Sequence, residues 1–67
     1  MERKSLRDKA YQSIKNGIIT FQYQPGAALP EEQLSKELGI SRTPIREALK
    51  ELQYNGLVRI IPSKGAF

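Results

Sequence analysis

The apolar positions of the 67-residue chain predict three helices followed by a short β-rich end. The first set shares one helix face at spacings of three or four: Leu6, Ala10, Ile14, Ile18 and Phe21. Ser5 and Asp8 have the spacing of a capping box, so this helix should begin after Ser5 and run to Thr20 or Phe21. Gly17 interrupts it and indicates that another element approaches closely.

A second, shorter helix is predicted from Glu31 to Leu38. Pro30 suits the beginning of a helix, and the carboxylates of Glu31 and Glu32 favour the positive end of its dipole. Gly39 follows as a residue that readily adopts the left-handed conformation ending a helix.

A turn over residues 39–41 leads into a third helix, predicted over about 42–55. Its apolar stripe consists of Ile45, Ala48, Leu49 and Leu52. Ser41 is the preferred N-cap, with Pro44 in the first turn. Thr43 is the alternative, because the residue before a proline resists the α region.

The end of the third helix leaves two interpretations open. Asn55 and Gly56 could form a type I′ hairpin turn, but the long helical pattern before them favours Gly56 as the helix end. The β-branched run 57–61 predicts a strand, and 62–65 a four-residue turn.

Two further strands are predicted from weaker signals. Residues 66–67 should begin a returning strand, and residues 27–29 are expected to add a short extra strand. Because Phe67 falls inside an element, we expect the chain to be the front part of a longer protein.

Composition removes several classes of function. The chain contains neither cysteine nor histidine, which excludes disulfides, thiol chemistry and the usual zinc sites. It offers no nucleophile and base pair and no glycine-rich phosphate loop, so we expect no enzyme, cofactor or metal. The absence of cysteine agrees with a reducing compartment, and neither a signal peptide nor a membrane span is evident.

The net charge of +4 is concentrated at the two ends of the chain. Residues 40–67 carry five positive side chains against Glu47 and Glu51. Two helices joined by a tight turn, the second with a basic and hydroxyl-rich first half, describe a helix-turn-helix. The hydroxyls of Ser41 and Thr43, with Arg42 beside them, form an N-terminus suited to phosphate.

The run Ser41-Arg42-Thr43-Pro44-Ile45-Arg46-Glu47-Ala48-Leu49, followed by Gly56-Leu57-Val58 and by Lys64-Gly65-Ala66-Phe67, carries a family resemblance. It resembles the N-terminal winged helix-turn-helix of GntR-type bacterial transcription regulators, and within them the FadR-like branch. The resemblance covers about Leu6 to Phe67. It implies a small α+β fold of three helices, a C-terminal β-hairpin wing and a short extra strand, over 6–67 after an N-terminal tail, 1–5.

The resemblance also implies a function and partners. A protein of this kind reads a half-site of a palindromic operator in double-stranded DNA, as a cytoplasmic, nucleoid-associated repressor or activator. Its dimer forms through a C-terminal domain that is absent from this chain, and that domain binds a small effector, often a carboxylic acid.

Carried over by position, the resemblance and the charge pattern give eight candidate DNA-binding residues: Gln33, Ser41, Arg42, Thr43, Arg46, Lys50, Lys64 and Gly65. The recognition helix is expected in the major groove and the wing, 62–65, at the minor groove. Gln33 departs from the family pattern, because many relatives have an arginine there.

The roles of the charged candidates remain open in part. Arg42 and Arg46 are candidates for bidentate contact with guanine, or they could be solvated or paired with glutamates of the same helix. Lys50 is a phosphate contact or a solubilising charge, and Lys64 should contact the backbone or minor groove. Glu47 is expected to orient an arginine rather than accept from a cytosine N4.

A second class of function is a winged-helix module that docks on protein, with an incidental basic face. Such a module needs an exposed apolar patch. The candidates for that patch are Tyr23, Tyr54 and Ile61.

Overall fold

The computed structural model of the protein describes residues 5–62 and 64–67. Its elements are α1 (Leu6–Ile19), α2 (Glu31–Leu38), α3 (Arg42–Tyr54), β1 (Ile60–Ile61) and β2 (Gly65–Ala66). Three helices and a two-stranded antiparallel hairpin confirm the predicted small α+β winged helix-turn-helix. Within the described residues, no helix is long and apolar enough to cross a membrane. Most of the predicted tail, residues 1–4, lies outside them.

The capping box at the start of α1 is present as predicted. The backbone N–H of Asp8 donates to Ser5 Oγ at 3.1 Å, and the Ser5 N–H donates to Asp8 Oδ2 at 3.4 Å. The helix ends at Ile19, one residue before the earlier of the two predicted ends. Thr20 is its C-cap, and Phe21 has a φ of 60°, a left-handed conformation that cannot continue the helix.

The turn between α2 and α3 has the predicted glycine geometry. Gly39 has a φ of 65° and occupies the left-handed C-cap of α2. Ser41 is the N-cap of α3 and Pro44 lies in the first turn, so the alternative cap at Thr43 is wrong. The Ser41 hydroxyl makes no capping hydrogen bond, which leaves it available to another acceptor or donor.

Gly56 ends α3, and the alternative of a hairpin turn at this point is wrong. Gly56 has a φ of 79°. Its N–H donates to the Gln53 carbonyl at 3.0 Å, and the Leu57 N–H donates to the Leu52 carbonyl at 2.9 Å. This pair of hydrogen bonds is the Schellman motif, which satisfies the last carbonyls of the helix.

The wing is a hairpin in which Ile60 pairs with Ala66 and Ile61 with Gly65. Arg59 and Phe67 extend the pairing, since each N–H donates to the other's carbonyl, at 3.0 and 2.8 Å.

The first strand is shorter than the predicted run 57–61, because the backbone of Leu57 is used in capping α3. The second begins at Gly65, one residue early. The turn is closed by the Lys64 N–H, which donates to the Ile61 carbonyl at 3.0 Å, and Ser63 of the predicted turn lies outside the described residues.

The predicted extra strand at 27–29 is wrong. Among the residues that the structure describes, one hydrogen bond joins this segment to the wing, from the Leu29 N–H to the Ala66 carbonyl at 2.8 Å. The Ala27 N–H is used locally, on the Gln24 carbonyl, and Pro30 has no N–H to continue a ladder. Leu29 is nevertheless buried, so the segment serves as a covering for the core.

The core is a single cluster of buried apolar residues from all three helices, both connections and the wing. Its members are Ala10, Ile14, Leu29, Leu34, Ile40, Ile45, Ala48, Leu49, Leu52, Val58 and Ala66. Two side-chain hydrogen bonds fix α3 further. Asn55 donates to the Tyr11 hydroxyl at 2.8 Å, and Gln53 Oε1 accepts from the Ile60 N–H at 2.7 Å. α3 is therefore held against α1 on one side and the wing on another.

The glycine in α1 gives a stability prediction. Gly17 is buried beneath the Tyr23 ring, and a Cβ there would overlap the ring, lying 2.7 Å from Cδ2. Tyr23 is held at both ends, because its N–H donates to the Gly17 carbonyl and its hydroxyl donates to Glu37. We expect Gly17→Ala to destabilise the wild type, since overpacking costs about 1–3 kcal/mol and the helix gains only about 1 kcal/mol from alanine.

The same substitution should change sign once the ring is removed. In a Tyr23→Ala background, Gly17→Ala should raise the free energy of unfolding by up to about 1 kcal/mol, the propensity gain alone. Urea unfolding of the four proteins measures both steps. The same sign in both backgrounds would mean that the ring does not determine the need for glycine.

Candidate nucleic-acid interface

An open concave surface lies between the first turn of α2, the exposed side of α3 and the wing. We call it the basic face. Five of the eight predicted site residues line it: Arg42, Arg46, Lys50, Lys64 and Gly65. Four of these are positively charged, and the fold brings them together from α3 and the wing. Two carboxylates, Glu31 and Glu32, also line it.

Arg46 makes the strongest polar contact of the basic face. Its Nε donates to Glu31 Oε2 at 3.1 Å and to Oε1 at 3.3 Å, and its Nη2 donates to Oε1 at 3.0 Å. Two parallel donors on one carboxylate form a charge-assisted, bidentate pair. The Arg46 side chain is still 54% exposed, so it remains accessible to a partner.

Arg42 has a looser partner. Its Nη2 lies 3.3 Å from Glu32 Oε2, and the other Glu32 oxygen is 3.8 Å from the Lys36 ammonium. Both members of the Arg42 pair are more than half exposed, where an ion pair contributes little. Arg42 is therefore held less firmly than Arg46.

The electrostatics follow from these contacts. The hydrogen bond from Arg46 lowers the pKa of the Glu31 carboxyl, and the positive charges of Arg46, Arg42 and Lys50 lower it further. The same hydrogen bond raises the pKa of Arg46. Glu31 is therefore ionised at neutral pH, and the basic face contains a fixed negative charge among its cations.

Sequence reasoning missed the role of these two glutamates. From the sequence, helix-start preference explains Glu31 and Glu32, and Glu47 is the glutamate predicted to orient an arginine. Within the described residues Arg46 pairs with Glu31 and Arg42 with Glu32, and Glu47 makes no ion pair with either arginine. The tight turn joins the end of α2 to the start of α3, whereas Glu31 lies at the other end of α2, so no local signal in the sequence indicates this pairing.

The wing residues reach the same face from the other side. Lys64 and Gly65 are exposed, and Gly65 has a φ of 103°, a conformation that favours glycine. Lys50 is exposed one turn beyond Arg46.

The remaining three candidates lie beside the basic face or away from it. Ser41 and Thr43 are exposed at the N-terminus of α3 but do not line the concave surface. Gln33 also lies outside it, and its amide donates to Glu37 Oε1 at 2.9 Å. Glu37 in turn accepts from the Tyr23 hydroxyl, whose pKa is raised by burial and by the neighbouring carboxylate.

The apolar candidates for protein docking are not alike. Tyr54 is 90% exposed on α3. Tyr23 and Ile61 are half-buried, because Tyr23 packs on Gly17 and Ile61 lies within the wing. Two of the three residues are thus partly used by the fold, although Leu6, Ile19 and Phe21 are also more than half exposed.

The fold and the basic face together define a winged helix-turn-helix of the DNA-binding class. The chain matches the model of the family described as "Bacterial regulatory proteins, gntR family" over residues 6–67. It therefore belongs to the gntR family.

Individual relatives agree with this assignment. The chain is 48% identical over 56 residues to an uncharacterized HTH-type transcriptional regulator from the TAR-I ttuE-ttuC' intergenic region of Agrobacterium vitis, covering 84% of this chain and 33% of the relative. It is 42% identical over 65 residues to an uncharacterized HTH-type regulator in an unstable DNA locus of Streptomyces ambofaciens, covering 97% and 27%.

A third relative has a more specific name. The HTH-type transcriptional repressor RspR of Escherichia coli K12 is 32% identical over 62 residues, covering 92% of this chain and 27% of its own. The chain thus spans a third or less of the length of these relatives, all of which are named as regulators and not as enzymes.

Proposed function

We propose that this chain binds double-stranded DNA with sequence preference, as the operator-reading domain of a bacterial transcription regulator. The observation that carries the proposal is the basic face, which unites cations of α3 and of the wing in a gntR-family domain. In this arrangement α3 enters the major groove, and the wing residues 62–65 meet the minor groove.

The exposed side chains divide into two kinds of contact. Arg42 and Arg46 face the base edges, where a guanidinium can pair with guanine O6 and N7. Ser41 and Thr43, at the N-terminus of α3, and Lys50 contact phosphates, which fix the position of the helix. Gln33 contributes only if it exchanges its hydrogen bond with Glu37 for one to DNA.

The same proposal extends to the whole regulator. Because the chain spans a third or less of the length of these relatives, the whole regulator has room for a C-terminal domain that dimerises and binds a small effector, such as a carboxylic acid. A dimer of this kind reads a palindromic operator in the cytoplasm, in association with the nucleoid. We place the regulator in the FadR-like branch, and the name of RspR suggests repression.

Selection of duplexes by the chain tests the proposal. The chain, alone and fused to a dimerising coiled coil, is mixed with a random duplex pool, and fluorescence anisotropy then measures binding to the selected duplexes across a salt series. We expect a palindrome, a steep salt dependence and tighter binding by the fusion, because joining two half-sites raises the effective concentration. Weak, unselective binding by both forms would favour the protein-docking alternative.

The wing gives a separate prediction. Lys64→Ala should weaken binding by a similar factor on all duplexes and should lower the slope of log affinity against log salt by about one, because one phosphate contact is lost. Anisotropy titrations on selected and unselected duplexes at several salt concentrations measure both quantities. A loss confined to one sequence would show instead that Lys64 reads a base.

A further inference from the structure

The guanidinium of Arg46 offers two edges, and Glu31 occupies only one of them. The side edge, formed by Nε and Nη2, donates to both Glu31 oxygens. The end edge, formed by Nη1 and the outer hydrogen of Nη2, makes no hydrogen bond within the described residues. The two parallel donors of that end edge match the O6 and N7 acceptors of guanine.

Glu31 is well placed to hold this geometry. It is the first residue of α2, where the helix dipole favours a carboxylate. Its turn is anchored by Leu34, which is 2% exposed and whose N–H donates to the Pro30 carbonyl at 3.0 Å. Because α2 and α3 pack on the same core, the carboxylate is fixed relative to the recognition helix.

We propose that Glu31 is a positioning residue for base recognition, which holds Arg46 by its side edge and leaves the end edge to pair with a guanine. The inference rests on the proposed function, in which Arg46 faces the base edges. A long side chain that is ordered before binding loses less freedom in the complex, so the correct base is bound more tightly. A held arginine also cannot turn to another acceptor when the base is wrong.

Glu31 has a second effect of opposite sign, since its negative charge repels every phosphate backbone. Glu32 provides the matched control for this effect. It lies one residue along the same turn and carries the same charge, but it makes a single 3.3 Å contact with Arg42 and is 65% exposed. Removal of either charge should tighten binding to all duplexes, but only Glu31 should change the discrimination at the base read by Arg46.

The experiment begins with the duplex that the wild-type chain selects. Arg46→Ala identifies the base pair whose preference depends on Arg46. The affinity ratio between duplexes with and without guanine at that position is then measured for the wild type, Glu31→Gln and Glu32→Gln. We expect Glu31→Gln to lower this ratio about two- to tenfold, the factor for a side chain that must be ordered on binding, and Glu32→Gln to leave it unchanged.

A double variant tests whether Glu31 changes the affinity ratio through Arg46 or independently of it. In an Arg46→Ala background, Glu31→Gln should leave the ratio where Arg46→Ala alone puts it. Thermal unfolding followed by circular dichroism verifies that each variant is folded. If Glu31→Gln is unfolded, Glu31→Asp replaces it; the shorter side chain keeps the charge, and the ratio should fall without the general rise in affinity.

The possible results distinguish the positioning role of Glu31 from the base-reading role of Arg46. An unchanged ratio in a folded Glu31 variant overturns the positioning role. A higher ratio also overturns it, because Glu31 would then compete with DNA for Arg46. If Arg46→Ala itself leaves every base preference intact, the proposed role of Arg46 in base reading fails, and the positioning role fails with it.

Discussion

Arg46→Ala should weaken binding to the selected duplex by about 1–3 kcal/mol, roughly a 5- to 150-fold loss, and should relax the preference at one base position. Arg46 is more than half exposed on the basic face, and the end edge of its guanidinium is directed by the Glu31 pair. The loss is large because the substitution removes both charge-assisted hydrogen bonds of a bidentate contact and, with them, one charge that attracts phosphate.

Two controls separate the effect of losing the planar pair of donors from the effect of losing the charge. Arg46→Lys keeps the charge but offers no planar pair of donors, so it should retain the general affinity and lower the base preference. Arg59→Ala removes an exposed charge outside the basic face, on the edge of the wing that pairs with Phe67, and should leave the preference intact. Repeated duplex selection with each variant, followed by anisotropy, gives the preference at each position. A normal preference in Arg46→Ala would make Arg46 a phosphate contact.

The second large effect concerns the core beneath α3. Leu52 is fully buried on α3, in the cluster that joins all three helices and the wing. Leu52→Ala should cost about 2–5 kcal/mol, because it removes buried apolar surface and leaves a cavity. A chain of this size has a total stability of roughly 3–10 kcal/mol, at about 0.05–0.15 kcal/mol per residue. Leu52→Ala should therefore remove a large share of the total stability and lower the urea midpoint of unfolding markedly.

Tyr54→Ala is the matched control on the same helix. It removes a larger side chain two residues away, but Tyr54 is 90% exposed, so the free energy of unfolding should change by less than about 0.5 kcal/mol. Urea unfolding monitored by circular dichroism at 222 nm, the usual helix band, compares the variants. A similar stability for Leu52→Ala and the wild type would contradict the burial of Leu52.

The local signals of the sequence predicted most of the fold. The capping box, the proline and glycine boundaries and the apolar stripe of α3 each act within one turn of the backbone, so their consequences can be derived without knowing the tertiary structure. The extra strand at 27–29 was wrong for the opposite reason. Strand pairing depends on a neighbour distant in sequence, and in the described part of the wing the segment is joined by the single hydrogen bond from the Leu29 N–H to the Ala66 carbonyl.

The basic face shows the same difference between what local signals predict and what contacts distant in sequence decide. The sequence named Arg42, Arg46, Lys50, Lys64 and Gly65 as candidates, and the fold brings all five to one concave face. It did not indicate that Glu31 and Glu32 would hold the arginines, because helix-start preference explains both glutamates fully. Gln33 was a candidate by position, but its amide is bonded to Glu37 away from that face.

The sequence by itself determined the helix boundaries, the buried stripe and the excess of basic residues, because periodicity, capping and charge are properties of neighbouring residues. The tertiary structure alone decided which charges meet. The pairing of Arg46 with Glu31, 15 positions earlier, depends on how α2 crosses α3 over the common core. Which edge of the guanidinium remains available to DNA is therefore set by the packing of two helices.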